Sequence, residues 1–289
     1  MQTLPEARIQ AGAESAALSQ GLTAYRVAGK RGPWVVLVHG LITPSYAWEP
    51  LAETLAGQGF RVLRYDQFGR GLSDRPSVRY DLDLYVAQLR ELLDALSIES
   101  AHFIGWSMGG LILTRFAAED PERATSLTLI APGLYAGGAL AYLAKLVSRL
   151  PGARKLLARR VGDAINRLDK QHLSRPERFP DYNRRASEQL GFPGMAESFA
   201  STVTNYPANA GDQWAAVGQH PRRVLVVWGT RDRVTPYENN RRVTQLFVRS
   251  ELLSVDGAKH APHVDHAEVV FPAISRHLAG AANQAENQS

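Results

Sequence analysis

A serine flanked by glycines at a strand-to-helix junction constrains this chain more than any other feature. His102-Phe103-Ile104-Gly105-Trp106 reads as a buried strand, and Gly109 to Ala118 reads as a helix ended before Pro121. Across the junction runs Gly105-Trp106-Ser107-Met108-Gly109, followed by Gly110. G-x-S-x-G occurs by chance in many sequences, but between a strand and a helix it has a physical meaning. A turn this sharp strains the serine backbone, the glycines leave room for neighbouring chain, and the hydroxyl is lifted above the sheet edge. The helix that follows directs its free N–H groups and the positive end of its dipole at the site. The pattern predicts a nucleophile at Ser107.

The surrounding rhythm is that of an α/β protein. Trp34-Val35-Val36-Leu37-Val38 is a continuous apolar run closed by His39-Gly40, as expected of a strand buried on both faces. Phe60 to Tyr65, Ser126 to Ile130, Arg223 to Trp228 and Glu251 to Val255 read as further strands. Between Asp81 and Leu96, Leu82, Val86, Leu89, Leu93 and Leu96 recur at helical spacing. A last helix is expected from about His266 to Leu278, with a polar, disordered tail from Asn283 to Ser289. Such alternation predicts a mostly parallel sheet with helices on both faces. The rhythm breaks over residues 133–218, which read as helical and are punctuated by Pro151, Pro176, Pro180, Pro193 and Pro207. That stretch is too long for a connecting loop and predicts a structured helical insertion. The expected division is a core of residues 1–132 and 219–289 with an inserted unit of residues 133–218.

Composition removes several chemistries. The chain has 0 cysteines, which excludes a disulfide, a thiolate metal site or a cysteine nucleophile. At 45% hydrophobic and 21% charged it is ordinary for a globular protein, and no apolar run is long enough to span a membrane. The N-terminus has neither a basic leader nor an apolar h-region, so a cytoplasmic location is expected. Residues 133–218 hold 12 Lys+Arg against 7 Asp+Glu, so the whole net charge of +5 falls there. A solvated face explains this most simply. Weak contact with an anionic surface or lipid is the sharper alternative, since residues 140–168 combine the charge with an apolar stripe. No nucleic-acid-binding motif accompanies it.

A serine hydroxyl is a poor nucleophile until a base removes its proton, so a histidine and an orienting carboxylate are required. Here the chain resembles the α/β-hydrolase family over nearly its whole length, with its eight-stranded sheet and helical cap. In that family the serine is followed along the chain by the acid and then the histidine. The resemblance places the acid at Asp232, in Val227-Trp228-Gly229-Thr230-Arg231-Asp232-Arg233-Val234-Thr235-Pro236, and the base at His260, in Asp256-Gly257-Ala258-Lys259-His260-Ala261-Pro262-His263. The family's other acid position corresponds to Ile130-Ala131-Pro132, which has no carboxylate. It also places the oxyanion-binding N–H groups on Met108 and on Leu41, just past His39-Gly40. Trp106 and Ile42, beside those donors, are expected to face the substrate.

His263, Asp265 and His266 stand near His260 and superficially suggest a metal cluster, but ligands converging from elsewhere are lacking, so no metal and no cofactor is expected. His263 is expected to pack in its loop or pair with a backbone group. The segment Tyr65-Asp66-Gln67-Phe68-Gly69-Arg70-Gly71-Leu72-Ser73-Asp74-Arg75-Pro76 matches a family loop that is mostly scaffolding, and Ser73, Asp74 and Arg75 are expected to be structural. The resemblance implies a carboxylic-ester hydrolase acting on a small molecule. A carbon–carbon bond hydrolase or lactonase using the same triad is the nearest alternative, although Leu41-Ile42-Thr43-Pro44-Ser45 lacks a glycine-rich stretch usual in the former. A hydrolase-fold small-molecule receptor is the alternative of another class.

Overall fold

The computed structural model describes residues 3–133, 171–207, 210 and 217–286. The apolar and basic stripe of residues 140–168 lies outside the described residues.

Eight strands form one sheet: β1 (Glu14–Leu18), β2 (Gly21–Ala28), β3 (Trp34–Val38), β4 (Arg61–Tyr65), β5 (Ala101–Trp106), β6 (Ala124–Ile130), β7 (Arg223–Gly229) and β8 (Ser250–Val255). Their order is β1-β2-β4-β3-β5-β6-β7-β8, with β1 and β2 antiparallel to their neighbours and the rest parallel. The inner strands are buried along nearly their whole length, which is why they read as unbroken apolar runs. Edge strands β1 and β8 are largely exposed.

Nine helices are described: α1 (Leu4–Gln10), α2 (Glu49–Gly57), α3 (Leu82–Ala95), α4 (Met108–Glu119), α5 (Tyr182–Glu188), α6 (Met195–Asn205), α7 (Asn240–Leu246), the single turn α8 (Pro262–Asp265) and α9 (Ala267–Glu286). Helix α3 begins where the Asp81 side chain accepts the Leu84 N–H, an N-cap. The crossover from β3 to β4 through α2 runs one way along the sheet, and that from β4 to β5 through α3 runs back. With right-handed connections the two helices lie on opposite faces. Accordingly α3 packs with α4, and α2 packs with α9.

The direction of winding reverses at β3 and β5, which are neighbours in the sheet. Their C-terminal loops therefore diverge from adjacent strands and leave a crevice, the usual ligand position in open α/β sheets. Here those loops carry Leu41 and Ser107.

Two features differ from the expectations above. The N-terminal hairpin β1–β2 and helix α1 had no counterpart in the sequence reading, because a half-exposed hairpin lacks an unbroken apolar run. The last helix also continues to Glu286 instead of ending at Leu278, so most of the polar tail is helical. Ala279, Ala281, Ala282 and Ala285 are strong helix formers and carry the helix past its apolar stripe.

Candidate active site

Ser107 sits between β5 and α4 with φ +54 and ψ −117, a conformation that a non-glycine residue adopts only when its surroundings enforce it. The enforcement is visible in its neighbours. A Cβ on Gly109 would lie 2.1 Å from the Val38 carbonyl oxygen, and one on Gly105 would lie 2.7 Å from the Gly109 backbone. Any side chain at either position would push the elbow off the sheet. The Ser107 N–H donates to the Ile130 carbonyl at 2.9 Å, and its own carbonyl accepts from Gly110 at 3.0 Å and Gly133 at 2.9 Å.

Asp232 and His260, which follow β7 and β8, meet behind the serine. The His260 Nδ1–H donates to Asp232 Oδ2 at 2.8 Å, and the two side chains are 1% and 0% exposed. The other carboxylate oxygen, Oδ1, accepts the N–H groups of Val234 at 2.8 Å and Thr235 at 3.0 Å, and the Thr235 hydroxyl donates to Oδ2 at 2.8 Å. Burial alone would raise the Asp232 carboxyl, but the adjacent His260 and these hydrogen bonds together hold it below the usual carboxylate range. The carboxylate is thus fully committed, and its hydrogen bond leaves Nε2 of His260 as the free ring nitrogen.

The loop after β3 brings Leu41 to the same cavity wall as Ser107. A Cβ on Gly40 would lie 3.3 Å from the Trp106 ring and 3.4 Å from the Ser107 Cβ, so the two loops touch where glycine stands. The neutral His39 ring donates from Nδ1 to the Gly40 carbonyl at 2.7 Å, while its Nε2 accepts the Gln67 N–H at 2.9 Å. Burial is the main cause pushing His39 down to about 4, which keeps the ring neutral, and the two hydrogen bonds set its tautomer. The Met108 N–H is the first of α4 and belongs to the turn that a helix leaves without internal partners.

These groups share one cavity of about 160 Å³, whose wall includes Leu41, Ile42, Trp106, Ser107, Met108 and His260. The structure therefore brings together the serine, both residues expected to offer backbone donors, both expected pocket residues and the histidine, with Asp232 bonded to His260.

The model of the alpha/beta hydrolase fold family matches residues 33–267. The chain belongs to the α/β-hydrolase fold family. It is 27% identical over 251 residues to the 2-hydroxy-6-oxononadienedioate/2-hydroxy-6-oxononatrienedioate hydrolase of Paraburkholderia xenovorans, covering 84% of this chain and 86% of that protein. The structure is similar to that of the enol-lactonase of Burkholderia xenovorans, with TM-score 0.77, 25% identity and coverage of 92% of this chain and 100% of the other. It shares its fold with a thermophilic esterase of Thermogutta terrifontis at TM-score 0.79, 21% identity and coverage of 93% and 98%.

The two histidines that next follow His260 in this α/β-hydrolase have other partners. His263 is buried between Trp48, 4.4 Å away between ring centroids, and Trp106, 4.9 Å away. Burial pushes its ring down to about 3, so it is a neutral, stacking residue. His266 Nδ1 donates to Asp265 Oδ1 at 2.9 Å. Asp265 Oδ2 accepts the N–H and hydroxyl of Ser174 at 2.6 and 2.7 Å and the N–H of Arg175 at 2.8 Å. Those donors belong to the segment before α5, so Asp265 ties the inserted residues to the turn that follows His260.

Ser73, Asp74 and Arg75 make structural contacts, as expected. The Ser73 hydroxyl donates to the Asp66 carbonyl at 2.5 Å and accepts the Ala24 N–H at 2.9 Å. Asp74 pairs with Arg8 at 2.5 Å, and Arg75 donates to the Ser73 and Gly71 carbonyls at 2.5 and 2.8 Å.

Two wall residues escaped the sequence reading. His172, the single histidine of residues 133–218, lines the cavity with its ring centroid 5.4 Å from that of His260. Its carbonyl accepts the Ala261 N–H at 3.0 Å, and its Nδ1 lies 3.0 Å from the Tyr182 hydroxyl. Tyr206 donates its hydroxyl to the Gly133 carbonyl at 2.8 Å, beside the elbow. A lone histidine in a basic helical stretch was the only available signal for the first; the second had none.

Proposed function

We propose that the chain is a serine hydrolase that cleaves a small, uncharged carboxylic ester through an acyl-enzyme, with residues 133–218 forming a cap over the site. His260 Nε2 takes the Ser107 proton, and Ser107 Oγ attacks the ester carbonyl. The N–H groups of Leu41 and Met108 receive the oxyanion. Collapse of the tetrahedral intermediate expels the alcohol with the proton from His260. A water activated by the same ring then hydrolyses the acyl-serine. Asp232 holds the Nδ1–H tautomer throughout.

The observation that carries this reading is the 2.8 Å Asp232–His260 pair, dry and fully hydrogen-bonded, beside a serine held at positive φ on the same cavity wall. The cavity is close to the size that holds one benzene-like group, which favours short acyl chains. Its described wall is apolar apart from Ser107, His172, Tyr206, Thr235 and His260, with no lysine or arginine among those residues. That wall suits an uncharged ester better than the dicarboxylate named for the Paraburkholderia relative. A lactone is the second reading, favoured by the similarity to an enol-lactonase, because a lactone is an ester closed on itself and needs no change in the chemistry.

A series of p-nitrophenyl esters from acetate to laurate tests the proposal. Multiple turnovers with the highest kcat/KM at the short end are expected. Absence of turnover on every ester and lactone offered, with Ser107 still labelled by a phosphonate, would overturn the ester reading in favour of a carbon–carbon bond hydrolase or a ligand-binding receptor, which turnover of a vinylogous 1,5-diketone would tell apart.

A further inference from the structure

Arg70 is wholly buried, and among the described residues no carboxylate lies within salt-bridge reach of its guanidinium. An isolated buried charge is costly unless its donors are satisfied. Here they are satisfied by neutral oxygens from three segments. Nε donates to the Leu41 carbonyl at 2.6 Å, Nη1 to the Gly69 carbonyl and the Ser198 hydroxyl at 3.0 Å each, and Nη2 to the Thr202 hydroxyl at 3.1 Å. Its guanidinium carbon also lies 5.6 Å from the centroid of the Phe199 ring. Ser198, Phe199 and Thr202 all belong to α6, in the inserted segment.

The loop and α6 meet in near-backbone contact at this point. Gly69 has φ +80, and a Cβ there would lie 2.6 Å from Ser198 and 2.8 Å from Tyr80. On the other side of the arginine, Leu41, which lines the same cavity as Ser107 and is assigned the oxyanion-binding N–H in the reading above, has its carbonyl held by Arg70. The carbonyl on the peptide that bears this N–H, that of Gly40, is held by His39. The donor peptide is therefore pinned at its own carbonyl by His39 and at the next carbonyl along the chain by Arg70, and the second pin reaches across to α6.

We propose that Arg70 is a positioning residue for the oxyanion hole, fastening the Leu41 peptide to helix α6 so that the donor takes its working position only when that helix is seated. The inference rests on the ester-hydrolase reading above and adds to it a coupling between the inserted helix and the transition-state donor. Among the described contacts no such chain of bonds links His260 or Asp232 to α6, whereas the Ser107 carbonyl reaches Tyr206, the residue that ends α6, through Gly133. The coupling through Arg70 thus acts on the Leu41 donor and leaves the His260–Asp232 pair alone.

The test compares wild type, Arg70→Met, Arg70→Lys and the Ser198→Ala/Thr202→Val double variant. Active sites are counted with a fluorophosphonate, and kcat and KM are measured on p-nitrophenyl butyrate. The affinity of an aryl boronic acid, whose tetrahedral adduct on Ser107 places an oxygen in the hole, is measured alongside. Arg70→Met is expected to lower kcat per labelled site roughly 10- to 100-fold, since small misplacement of a catalytic group costs about that much. KM should change by less than about threefold, and boronate affinity should fall by the same factor as kcat. Arg70→Lys, which keeps a charge and a donor for Leu41, should restore part of the loss. The double variant, which leaves the arginine in place, should show a smaller loss of the same kind. If Arg70→Met does not fold, the double variant and Arg70→Lys decide the matter. Unchanged kcat per labelled site and unchanged boronate affinity, with only Tm lowered, would make Arg70 a packing residue and overturn the proposal. Labelling of a residue other than Ser107 in the wild type would overturn the ester-hydrolase reading, and this proposal with it.

Discussion

Trp106 donates its indole N–H to the carbonyl of His260 at 2.8 Å, so the residue before the serine holds the loop that presents the histidine. Both residues are 1% exposed, and the bond crosses from the end of β5 to the loop after β8. Ser107 and His260 are thereby registered to one another without a flexible intermediary. Trp106→Phe keeps most of the ring contact but leaves a buried carbonyl without its donor, a cost of about 1–3 kcal/mol in stability. A drop in kcat of roughly tenfold with little change in KM is expected on an ester substrate. Wild-type kinetics in this variant would show that the histidine loop is held by other contacts.

The two neighbouring histidines should separate cleanly. His260→Ala should lose activity about as completely as Ser107→Ala, on the order of a thousand-fold or more, because such residues act as a unit. His263→Phe should preserve stacking on Trp48 and Trp106 and retain most of the activity. The reverse ranking in a side-by-side assay would mean that the base has been misassigned.

Asp232→Asn removes the charge and donates where a carboxylate should accept. The imidazole is then held in the wrong tautomer, and kcat at neutral pH should fall on the order of 10³- to 10⁴-fold. Thr235→Val removes only one hydrogen bond to the same oxygen and should cost far less. A near-silent Asp232→Asn would point to a different orienting group.

Stability should fall on acidification through the window set by the buried histidines. Burial is the chief cause pushing His39, His102, His263 and His277 from 6.5 down to about 4, 4, 3 and 4 respectively. The unfolded chain therefore takes up these protons first. The stabilisation is whole above about pH 6.5 and is lost as pH falls toward the folded values, at up to about 1.4 kcal/mol per pH unit for each ring. Urea midpoints measured from pH 7 to pH 4 should decline, and His263→Phe should flatten the decline. A flat wild-type profile would show that these rings protonate without loss of structure.

The elbow was legible in the sequence because everything that makes it is local. A buried strand, glycines two residues on either side of Ser107, and a helix beginning at once leave the chain little alternative. Asp232 and His260 were legible through the family's order of residues, since nothing in their own loops states which carboxylate meets which ring. Local sequence offers His263 as readily as His260. Only the packing of Trp48 against one ring, and the approach of the β7 loop to the other, separates them. His172, Tyr206 and Arg70 were invisible as site residues for the same reason. Each acquires its place through contacts with residues far along the chain, Arg70 reaching 29 positions back to Leu41 and 132 forward to Thr202. Periodicity and glycine spacing report the strain and burial of neighbouring residues. The convergence of loops at the reversal between β3 and β5, and the seating of α6 upon them, depends on how the whole sheet winds, which the tertiary structure alone decides.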